Sequence, residues 1–498
     1  MSRMIAGFEP LESRRMMDAT PLYWVCGTGG NDVITVAQQQ SVIGTATTRA
    51  MTRSFKGNGA LGNANIFDSD NFVITINGRA FTATIPSGTR IHIDGFGGND
   101  YIKVNGSRGA DLIGSAGNDT LVGGDGPDIL SGGDGIDTAD YSARYSNLNI
   151  TLDDYANDGR ANEHDNVYAD IEVVYGGLGN DYISTAGVGW GLGRQMNGYL
   201  GNDTLVGGDG PDTVWGGAGD DLIMTGKGND AVRAEGGNDR IYLGEGNDTA
   251  YGGAGNDALF GGGGIDKLVG ESGSDRFLVQ SSAQSFDNVM DLTSDDARIW
   301  FYDGPQKTVT FGGQNGSYTF APGAWTDAEI QNLDVALGAL HNATGNSRLL
   351  KKANRSELSF TRQGKQISSS GGTFSAAAWN DNGNMYIVET NVDYILHEVG
   401  HNWDTEFNSS GWNALSGWTK TNMSNNPNYQ KGSGNDGWWY LKSSQFASSY
   451  ARTNPNEDFA ESFAANLVRR AGLFAYQSVV ASKNAFIDSM LSTLAGQP

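Results

Sequence analysis

Two of the five histidines in this 498-residue chain lie four residues apart, with a glutamate after the first, in the stretch LHEVGHNWD. On a helix, His397 and His401 would lie one turn apart and project to the same side. Two neutral imidazoles in that arrangement suit a tetrahedral zinc ion. Glu398 would lie beside them, where it could take a proton from metal-activated water. The competing interpretation is a helix whose histidines are ordinary core residues.

A second stretch, SSYARTNPNEDFAESFA, could complete such a site. Asn454 and Pro455 are typical of a helix N-cap and of the first helical position. A catalytic zinc requires three protein ligands and an open position, so Glu457 is the expected third ligand. Glu461, one turn later, is expected to accept a hydrogen bond from a ligating histidine. An ordinary capping box is the alternative for Glu457, because it stands three residues after Asn454.

The motif HExxH followed by NExxxE resembles the gluzincin class of metallopeptidases, to which thermolysin belongs. The longer string SYARTNPNEDFAES is similar to the catalytic domain of anthrax toxin lethal factor. The resemblance covers about residues 326–498 and implies an α+β zincin-like domain. It implies three zinc ligands: His397, His401 and Glu457. It also implies Glu398 as general base, Tyr450 as hydroxyl donor to the oxyanion of the tetrahedral intermediate, and Glu461 as the second glutamate of the family.

Aspartates recur through the middle of the chain with a period of nine. From Gly198 onward, each glycine-rich hexad ends in aspartate and is followed by a triplet with a central apolar residue, such as TLV. Glycines permit positive φ, so the turn can point carbonyl oxygens inward, and the aspartate adds a carboxylate. These are the hard oxygen ligands that calcium prefers. A flexible glycine-rich linker, the alternative, has no reason to keep an apolar residue two places after each aspartate.

This pattern resembles the RTX-type nonapeptide repeat. The resemblance implies an all-β parallel β-roll, a solenoid with several structural calcium ions at its turns. Twelve aspartates are the expected calcium carboxylates: Asp119, Asp128, Asp137, Asp203, Asp212, Asp221, Asp230, Asp239, Asp248, Asp257, Asp266 and Asp275. The earlier block also contains Asp100 and Asp111, with one step of eleven residues and one of eight. Between the blocks, Glu163, His164 and Asp165 are interpreted as a surface turn.

The zinc-site residues and the calcium aspartates lie in separate segments with different patterns. The sequence therefore predicts a multidomain chain in which the β-roll is followed by the metallopeptidase domain. The predicted divisions are an N-terminal tail (1–22), an irregular all-β repeat region (23–105), the β-roll (106–280) with an interruption at 141–175, a β cap or linker (281–325), and the metallopeptidase domain (326–498). In the cap, ARIWFYDG and KTVTFGG are expected to be strands that form a hairpin.

The start of the chain contains FEPLESRRMM, which resembles the short LEPR-XLL sorting motif of exported planctomycete proteins. The resemblance implies a sorting signal that is not part of the fold, and a disordered tail is the alternative.

At the start of the expected metallopeptidase domain, Thr326 and Glu329 predict a capping box for a helix. His341 near the end of that helix is interpreted as a charge partner of the helix C-terminus.

The composition narrows the possible partners. A net charge of −24 argues against nucleic acid and against an anionic membrane surface, and the single cysteine, Cys26, excludes a disulfide framework. No apolar stretch is long enough to predict a transmembrane segment. The sequence therefore predicts a secreted or cell-surface zinc endopeptidase that acts on protein or peptide substrates. The alternative is a calcium-binding surface or matrix protein whose peptidase-like domain is inactive.

Overall fold

The computed structural model describes most of the chain. The described residues are 22–38, 69–187, 191–280, 287–293, 295–303, 306–309, 317–351, 357–369, 378–381, 384–407, 420, 424, 429–433, 439–441, 451, 455–472 and 481–495. The chain divides into two compact units, Met1–Gly217 and Ala218–Pro498. Both units contain coils of a parallel β-solenoid, between about residues 91 and 301.

The first unit is built from strands. They are β1 (Leu22–Cys26), β2 (Val33–Gln38), β3 (Ser69–Ile76), β4 (Arg79–Pro86), β5 (Arg90–Asp94), β6 (Tyr101–Asn105), β7 (Ala110–Ala116), β8 (Thr120–Val122), β9 (Ile129–Asp134), β10 (Thr138–Asp140), β11 (Leu148–Thr151), β12 (Gly159–Arg160), β13 (Asn166–Val167), β14 (Val173–Tyr175), β15 (Tyr182–Ser184), β16 (Gln195–Leu200), β17 (Thr204–Val206) and β18 (Thr213–Ala218).

Three sheets organise these strands, in the orders β1-β5-β7-β9-β13, β4-β3-β2-β6-β8-β10-β14-β16-β18 and β12-β11-β15-β17. The solenoid pairs are parallel, as in β5–β7 and β6–β8. At the N-terminal side, β3 and β4 form an antiparallel hairpin. Asn77 and Gly78 connect them with positive φ angles of 49° and 77°, which suits a two-residue hairpin loop. Within the interruption, β11 and β12 pair antiparallel and Asp158 forms an antiparallel bridge with Asp165, whereas β13 and β14 pair parallel with strands of the roll.

The second unit begins with further solenoid coils and continues into a mixed sheet. Its strands are β19 (Leu222–Lys227), β20 (Ala231–Gly236), β21 (Arg240–Glu245), β22 (Thr249–Ala254), β23 (Ala258–Phe260), β24 (Lys267–Ser272), β25 (Arg276–Gln280), β26 (Asn288–Val289), β27 (Ala297–Asp303), β28 (Lys307–Val309), β29 (Tyr318–Pro322), β30 (Leu358–Ser369), β31 (Ala378–Asp381), β32 (Asn384–Ile387), β33 (Tyr429–Lys431) and β34 (Trp439–Leu441).

Successive strands of the roll alternate between two sheets. Each strand therefore pairs with the strand that occupies the same position in the next coil. One sheet of the second unit runs β19-β21-β23-β25-β27 and the other β20-β22-β24-β26. The central residue of each triplet points inward, as the repeat predicts: Ile223, Ile241, Leu259 and Phe277 have no exposed surface. Apolar stacking between coils therefore forms the interior of the roll.

The sheet of the roll does not end at the last repeat. Strand β27 pairs parallel with β25 on one side and with β30 on the other. The hairpin expected between ARIWFYDG and KTVTFGG is not formed, because β28 pairs antiparallel with β29 instead. The strand that was expected to cap the roll is thus the strand that links it to the C-terminal sheet.

The helices of the second unit are α1 (Asp327–Thr344), a 3₁₀ helix (Ser347–Leu350), α2 (Val392–Phe407), α3 (Pro455–Arg470) and α4 (Ala481–Ala495). The predicted capping box of α1 is present, and Glu329 Oε2 accepts from the Thr326 N–H at 3.2 Å. His341 is 2% exposed, and burial lowers its pKa to about 4. It is therefore neutral at pH 7, and its interpretation as a charge partner of the helix terminus is wrong.

One hydrophobic core joins the roll of the second unit to the helices. It includes Phe260 and Phe301 from the roll, Leu337 from α1, Leu396 from α2 and Phe463 from α3. Among the helices that the structure describes, none combines the length and apolar character required to cross a membrane.

A buried ion network reinforces this core. Asp334 of α1 is 1% exposed, and its carboxylate contacts Arg276 Nε at 2.9 Å and Arg240 Nε at 2.7 Å. Tyr242 donates its hydroxyl to the same carboxylate at 3.0 Å. Because the two arginines and the tyrosine belong to roll strands, α1 is attached to the roll by charge as well as by apolar packing.

Candidate metal centres

Helix α2 positions the two histidines of the HExxH motif. Its N-cap is Asn391, whose side-chain oxygen accepts from the Asp393 N–H at 2.9 Å. His397 and His401 are one turn apart, and their ring centroids are separated by 4.7 Å. Leu396 and Trp403 are fully buried in the core, so the opposite side of α2 holds the helix in place.

Helix α3 brings Glu457 to the histidines. His397 Nε2 and His401 Nε2 lie 3.1 Å apart, and Glu457 Oε2 lies 3.2 Å from the first and 3.4 Å from the second. A tetrahedron with metal–ligand bonds of about 2.1 Å has an edge of about 3.4 Å. The three donor atoms therefore fit one face of a zinc tetrahedron.

Two further carboxylates surround this triad. Glu461 Oε1 lies 3.1 Å from His397 Nδ1, the nitrogen that faces away from Glu457. Glu398 is 7% exposed, and burial raises its pKa. The surroundings of Glu398 therefore disfavour its charged form.

The charges of the triad are strongly coupled. Burial alone would lower the pKa of His397, but Glu457 and Glu461 raise that pKa to about 9. Conversely, burial alone would raise the pKa of Glu457, and the two histidines lower it to about 2. The site therefore stabilises an anionic Glu457 together with positive charge between the three side chains, where a cation would be held.

The predicted position of Tyr450 lies outside the described residues, as does the N-cap residue Asn454. Helix α3 does begin at Pro455. Among the described residues, His397, His401 and Glu457 are the group whose ligand atoms lie close enough to share a metal ion.

The second candidate centre is formed by the aspartates of the roll. All twelve expected calcium aspartates are at most 3% exposed. In the second unit, five ladder aspartates donate their backbone N–H to Oδ1 of the aspartate 18 residues later, at 2.7–2.9 Å: Asp221, Asp230, Asp239, Asp248 and Asp257. The two resulting ladders are Asp221, Asp239, Asp257, Asp275 and Asp230, Asp248, Asp266. The first unit has the same contact between Asp119 N and Asp137 Oδ1, at 2.7 Å.

The other carboxylate oxygen, Oδ2, is directed into the turn. In the described chain, no hydrogen-bond partner reaches this oxygen in several ladder residues: Asp119, Asp137, Asp239, Asp248 and Asp257. A Cβ at Gly252 would collide with Oδ2 of Asp257 and would lie 2.9 Å from the carbonyl oxygen of Gly270. This turn therefore brings together a buried carboxylate oxygen and a carbonyl oxygen, the two kinds of oxygen ligand that calcium prefers.

Comparison with protein families identifies these turns. Residues 105–139, 169–187, 197–232, 233–268 and 251–278 match the RTX calcium-binding nonapeptide repeat (4 copies). The turns are RTX calcium-binding repeats. No curated protein matches the chain. The matched segments include all twelve of the expected calcium aspartates, and the sequence prediction of a calcium-binding β-roll is confirmed.

The irregular spacing in the first RTX block has a structural cause. Asp128 Oδ1 accepts from the N–H of Ala110, so Ala110 occupies the ladder position. Asp111 is one residue beyond it, within β7, where its carboxylate contacts Arg90 and, at 3.3 Å, His92 Nδ1. The steps of eleven and eight residues arise because Asp111 is not a member of the ladder.

Arginine replaces aspartate at another ladder position. Asp212 Oδ1 accepts from the N–H of Arg194 at 2.7 Å. The Arg194 guanidinium is buried and donates to Glu172 and to the carbonyl oxygen of Ala169, both at 2.9 Å. The Arg194 guanidinium therefore satisfies the Glu172 carboxylate and the Ala169 carbonyl oxygen.

Several ladder carboxylates were missed by the sequence analysis. Asp32 donates its N–H to Asp100 Oδ1 at 2.6 Å, and Asp165 Oδ1 accepts from Asp128 N at 2.8 Å. Glu163 and Asp165 are 4% and 0% exposed, so their interpretation as part of a surface turn is wrong. The apolar residue two places after Asp32 and after Asp165 was the signal that could have identified these two positions.

Proposed function

We propose that this chain is a secreted zinc-dependent endopeptidase on a calcium-stabilised RTX β-roll. The observation that carries the proposal is the triangle of donor atoms from His397, His401 and Glu457, with sides of 3.1, 3.2 and 3.4 Å. An inactive relative would have no need to keep two imidazoles and a carboxylate in the geometry of a zinc site together with a buried glutamate beside them.

Each residue of the candidate zinc site has its own role in the proposed peptide hydrolysis. His397 and His401 would offer Nε2 to zinc, and Glu457 a carboxylate oxygen. Bound zinc supplies Lewis acidity toward a peptide carbonyl and toward water. Glu398 takes a proton from the attacking water and delivers it to the leaving amine. Glu461 Oε1 lies 3.1 Å from His397 Nδ1, and a hydrogen bond from that nitrogen would direct Nε2 toward the metal position.

The proposed location is outside the cell or at its surface. RTX repeats are typical of secreted and surface proteins. Protein modules that bind calcium weakly are found outside the cell, where the calcium concentration is high. The proposed partner is a protein or peptide substrate. The net charge of −24 does not favour nucleic acid.

The deciding experiment replaces the base without disturbing the ligands. Glu398→Gln has nearly the same shape, so we expect near-normal zinc content by metal analysis. Peptidase activity on a peptide library should fall by at least about 10²-fold, because the general base is lost. Glu457→Ala should instead lose zinc, since it removes one of three protein ligands.

Glu389 provides a matched control, because it is an exposed glutamate shortly before α2. Glu389→Gln should change neither zinc content nor activity. If the unaltered protein binds no zinc, or if Glu398→Gln cleaves as well as the unaltered protein, the peptidase proposal fails. The chain would then be a calcium-binding structural protein with an inactive peptidase-like domain.

A further inference from the structure

The turns of the first unit form two rows, one along each edge of its roll. The first edge includes the turns that precede β6, β8 and β10, and their last residues are Asp100, Asp119 and Asp137. The second edge includes the turns that precede β7, β9, β11, β13 and β15, which are strands of the other two sheets. The two edges differ in how the chain satisfies their carboxylate and carbonyl oxygens.

On the first edge, each aspartate has one carboxylate oxygen left over. Oδ1 of Asp119 accepts from the Asp100 N–H, and Oδ1 of Asp137 accepts from the Asp119 N–H, both at 2.7 Å. Oδ2 of all three aspartates is buried and has no hydrogen-bond partner in the described chain. A Cβ at Gly95 would meet Asp100 Oδ2 and, at 3.0 Å, the Gly114 carbonyl oxygen. These turns therefore offer the oxygen atoms that calcium prefers.

Two turns of the second edge end in an apolar residue in place of aspartate. The residues are Ala110 and Leu148, and their N–H groups donate to Asp128 Oδ1 at 2.7 Å and to Asp181 Oδ1 at 2.9 Å. Ala110 and Leu148 thus occupy ladder positions but contribute no carboxylate to a metal ion.

The aspartates of the second edge have both carboxylate oxygens satisfied by the chain. Oδ2 of Asp128 accepts from the Gly124 N–H at 2.5 Å, and Oδ2 of Asp181 accepts from the Gly177 N–H at 2.6 Å. With the ladder bonds to Oδ1, each of these carboxylates accepts two backbone hydrogen bonds. Neither carboxylate therefore requires a cation to compensate its burial.

Asp165, the aspartate of the turn before β13, is satisfied in a different way. Its Oδ1 accepts from the Asp128 N–H at 2.8 Å, and its Oδ2 accepts from the Tyr141 hydroxyl at 3.1 Å. Tyr141 is 2% exposed, so this donor reaches Asp165 from within the fold. The turn that interrupts the repeats thus also closes its carboxylate without a metal ion.

The backbone of the turns separates the two edges. The second residue of each first-edge turn has positive φ, 68° at Phe96, 80° at Ser115 and 106° at Gly133. Gly124 and Gly177 hold the same place in second-edge turns, and neither has φ in the left-handed region. Because glycine adopts that region most easily, the residue type does not explain the difference. On the second edge, the N–H of the second residue faces the aspartate, and a donor takes the place of a metal ion.

Arginine side chains satisfy carbonyl oxygens of the second edge. Arg90 donates Nη1–H to the Pro127 carbonyl and Nη2–H to the Ala110 carbonyl, both at 2.8 Å. Arg144 donates to the Gly123 carbonyl at 3.3 Å. The positive charge that calcium would bring to these turns is therefore supplied by the chain itself.

We propose that the first unit, up to Asp181, binds calcium along its first edge only, and that backbone donors and arginines close its second edge. Asp128, one of the twelve expected calcium aspartates, is then a structural residue and not a calcium ligand. In the second unit, Asp239, Asp248 and Asp257 have an unsatisfied Oδ2 and represent both ladders, so both edges bind calcium there. The first unit thus keeps one ordered edge when calcium is removed.

Asp119 and Asp128 are a matched pair for the test, since they are one repeat apart and at most 1% exposed. Equilibrium dialysis against saturating calcium chloride, followed by metal analysis, counts the calcium ions bound by each full-length variant. Asp119→Asn should bind at least one calcium ion fewer than the unaltered protein, because a carboxylate ligand is lost. Its melting temperature should also rise less on addition of calcium.

Asp128→Asn should bind as many calcium ions as the unaltered protein and show the same rise in melting temperature with calcium. Asp181→Asn tests a second turn of the same edge, with the same expected result, and it decides the matter if Asp128→Asn does not fold. A calcium count that falls in Asp128→Asn or Asp181→Asn as in Asp119→Asn would overturn the proposal. An unchanged count in Asp119→Asn would overturn it too, because the first edge would then not bind calcium. The proposal is independent of the peptidase activity, because neither measurement involves zinc or a substrate.

Discussion

Gly400 of α2 and Ala460 of α3 lie so close together that a Cβ at Gly400 would be 3.1 Å from the Ala460 Cα. The same Cβ would be 3.2 Å from Cδ1 of Phe463. Glycine is unfavourable in a helix interior, so its presence here is explained by the close approach of the two helices. That approach is what places Glu457 within 3.4 Å of both histidines.

Gly400→Ala should therefore weaken zinc binding. The added methyl separates α2 from α3 by a few tenths of an ångström, and a metal site tolerates little change in its ligand positions. We expect zinc affinity to fall at least about tenfold while the helical circular dichroism is retained. Competition with a chromogenic chelator measures the affinity.

Gly338 of α1 is the matched control for this substitution. A Cβ there would meet only the Arg276 guanidinium, at an ordinary distance of 3.6 Å. Gly338→Ala should leave zinc affinity unchanged and stabilise the protein by up to about 1 kcal/mol through helix propensity. Equal zinc affinities in the two variants would contradict the role assigned to the Gly400 contact.

Glu461→Ala should weaken zinc binding without removing a ligand. The contact of 3.1 Å between Glu461 Oε1 and His397 Nδ1 orients the ring. Loss of such an outer contact typically costs about 10–100-fold in metal affinity. The loss should be smaller than that of Glu457→Ala in the same chelator assay. A larger loss would mean that Glu461, and not Glu457, is the ligand.

Asp334→Asn should strongly destabilise the second unit. The substitution leaves Arg276, which is 9% exposed, without its buried counter-charge. Breaking a buried ion pair by removing one partner costs about 3–5 kcal/mol. Urea unfolding followed by tryptophan fluorescence measures this loss, since Trp325 belongs to the same core. Asp488→Asn, which removes a half-exposed partner of Arg470, should cost about 1 kcal/mol or less.

The regular parts of this fold could be predicted because their sequence signals are local. The period of nine, with glycine turns and one inward apolar residue, predicts the coils without knowledge of distant residues. The histidines four apart and the proline at the start of α3 similarly predict two helices. The ligand requirement of zinc and the resemblance to metallopeptidases both pointed to Glu457, but its distance from the histidines could not be predicted, because that distance depends on how α2 and α3 pack.

The features that the sequence analysis did not predict depend, in contrast, on contacts between residues distant in sequence. Asp165 is a ladder residue because it lies one coil after Asp128, although 37 residues separate them. The irregular step at Asp111 likewise has a cause outside the local sequence, because its carboxylate contacts Arg90 and His92. His341 is neutral because other elements bury it, which its position near a helix terminus does not reveal.

Calcium and pH should act in opposite directions on the roll. Burial, with repulsion from neighbouring aspartates, raises the pKa of Asp239 to about 8 and that of Asp137, Asp248 and Asp275 to about 7. An aspartate in an unfolded chain has a pKa of about 3.9. Between these values the folded, metal-free roll binds more protons than the unfolded chain. The contribution of these four carboxylates to stability is therefore fully present below about pH 4 and is lost as the pH rises through about 7–8.

We therefore expect protein freed of metal on a chelating resin to melt at a lower temperature at pH 8 than at pH 5, followed by the β signal in circular dichroism. Saturating calcium should restore the roll at pH 8, because the cation replaces the protons between the carboxylates. Asp239→Asn should raise the metal-free melting temperature at pH 8, whereas Asp209→Asn, at an exposed position of the first unit, should not. A metal-free melting temperature that rises from pH 5 to pH 8 would show that the buried carboxylates do not limit the stability of the roll.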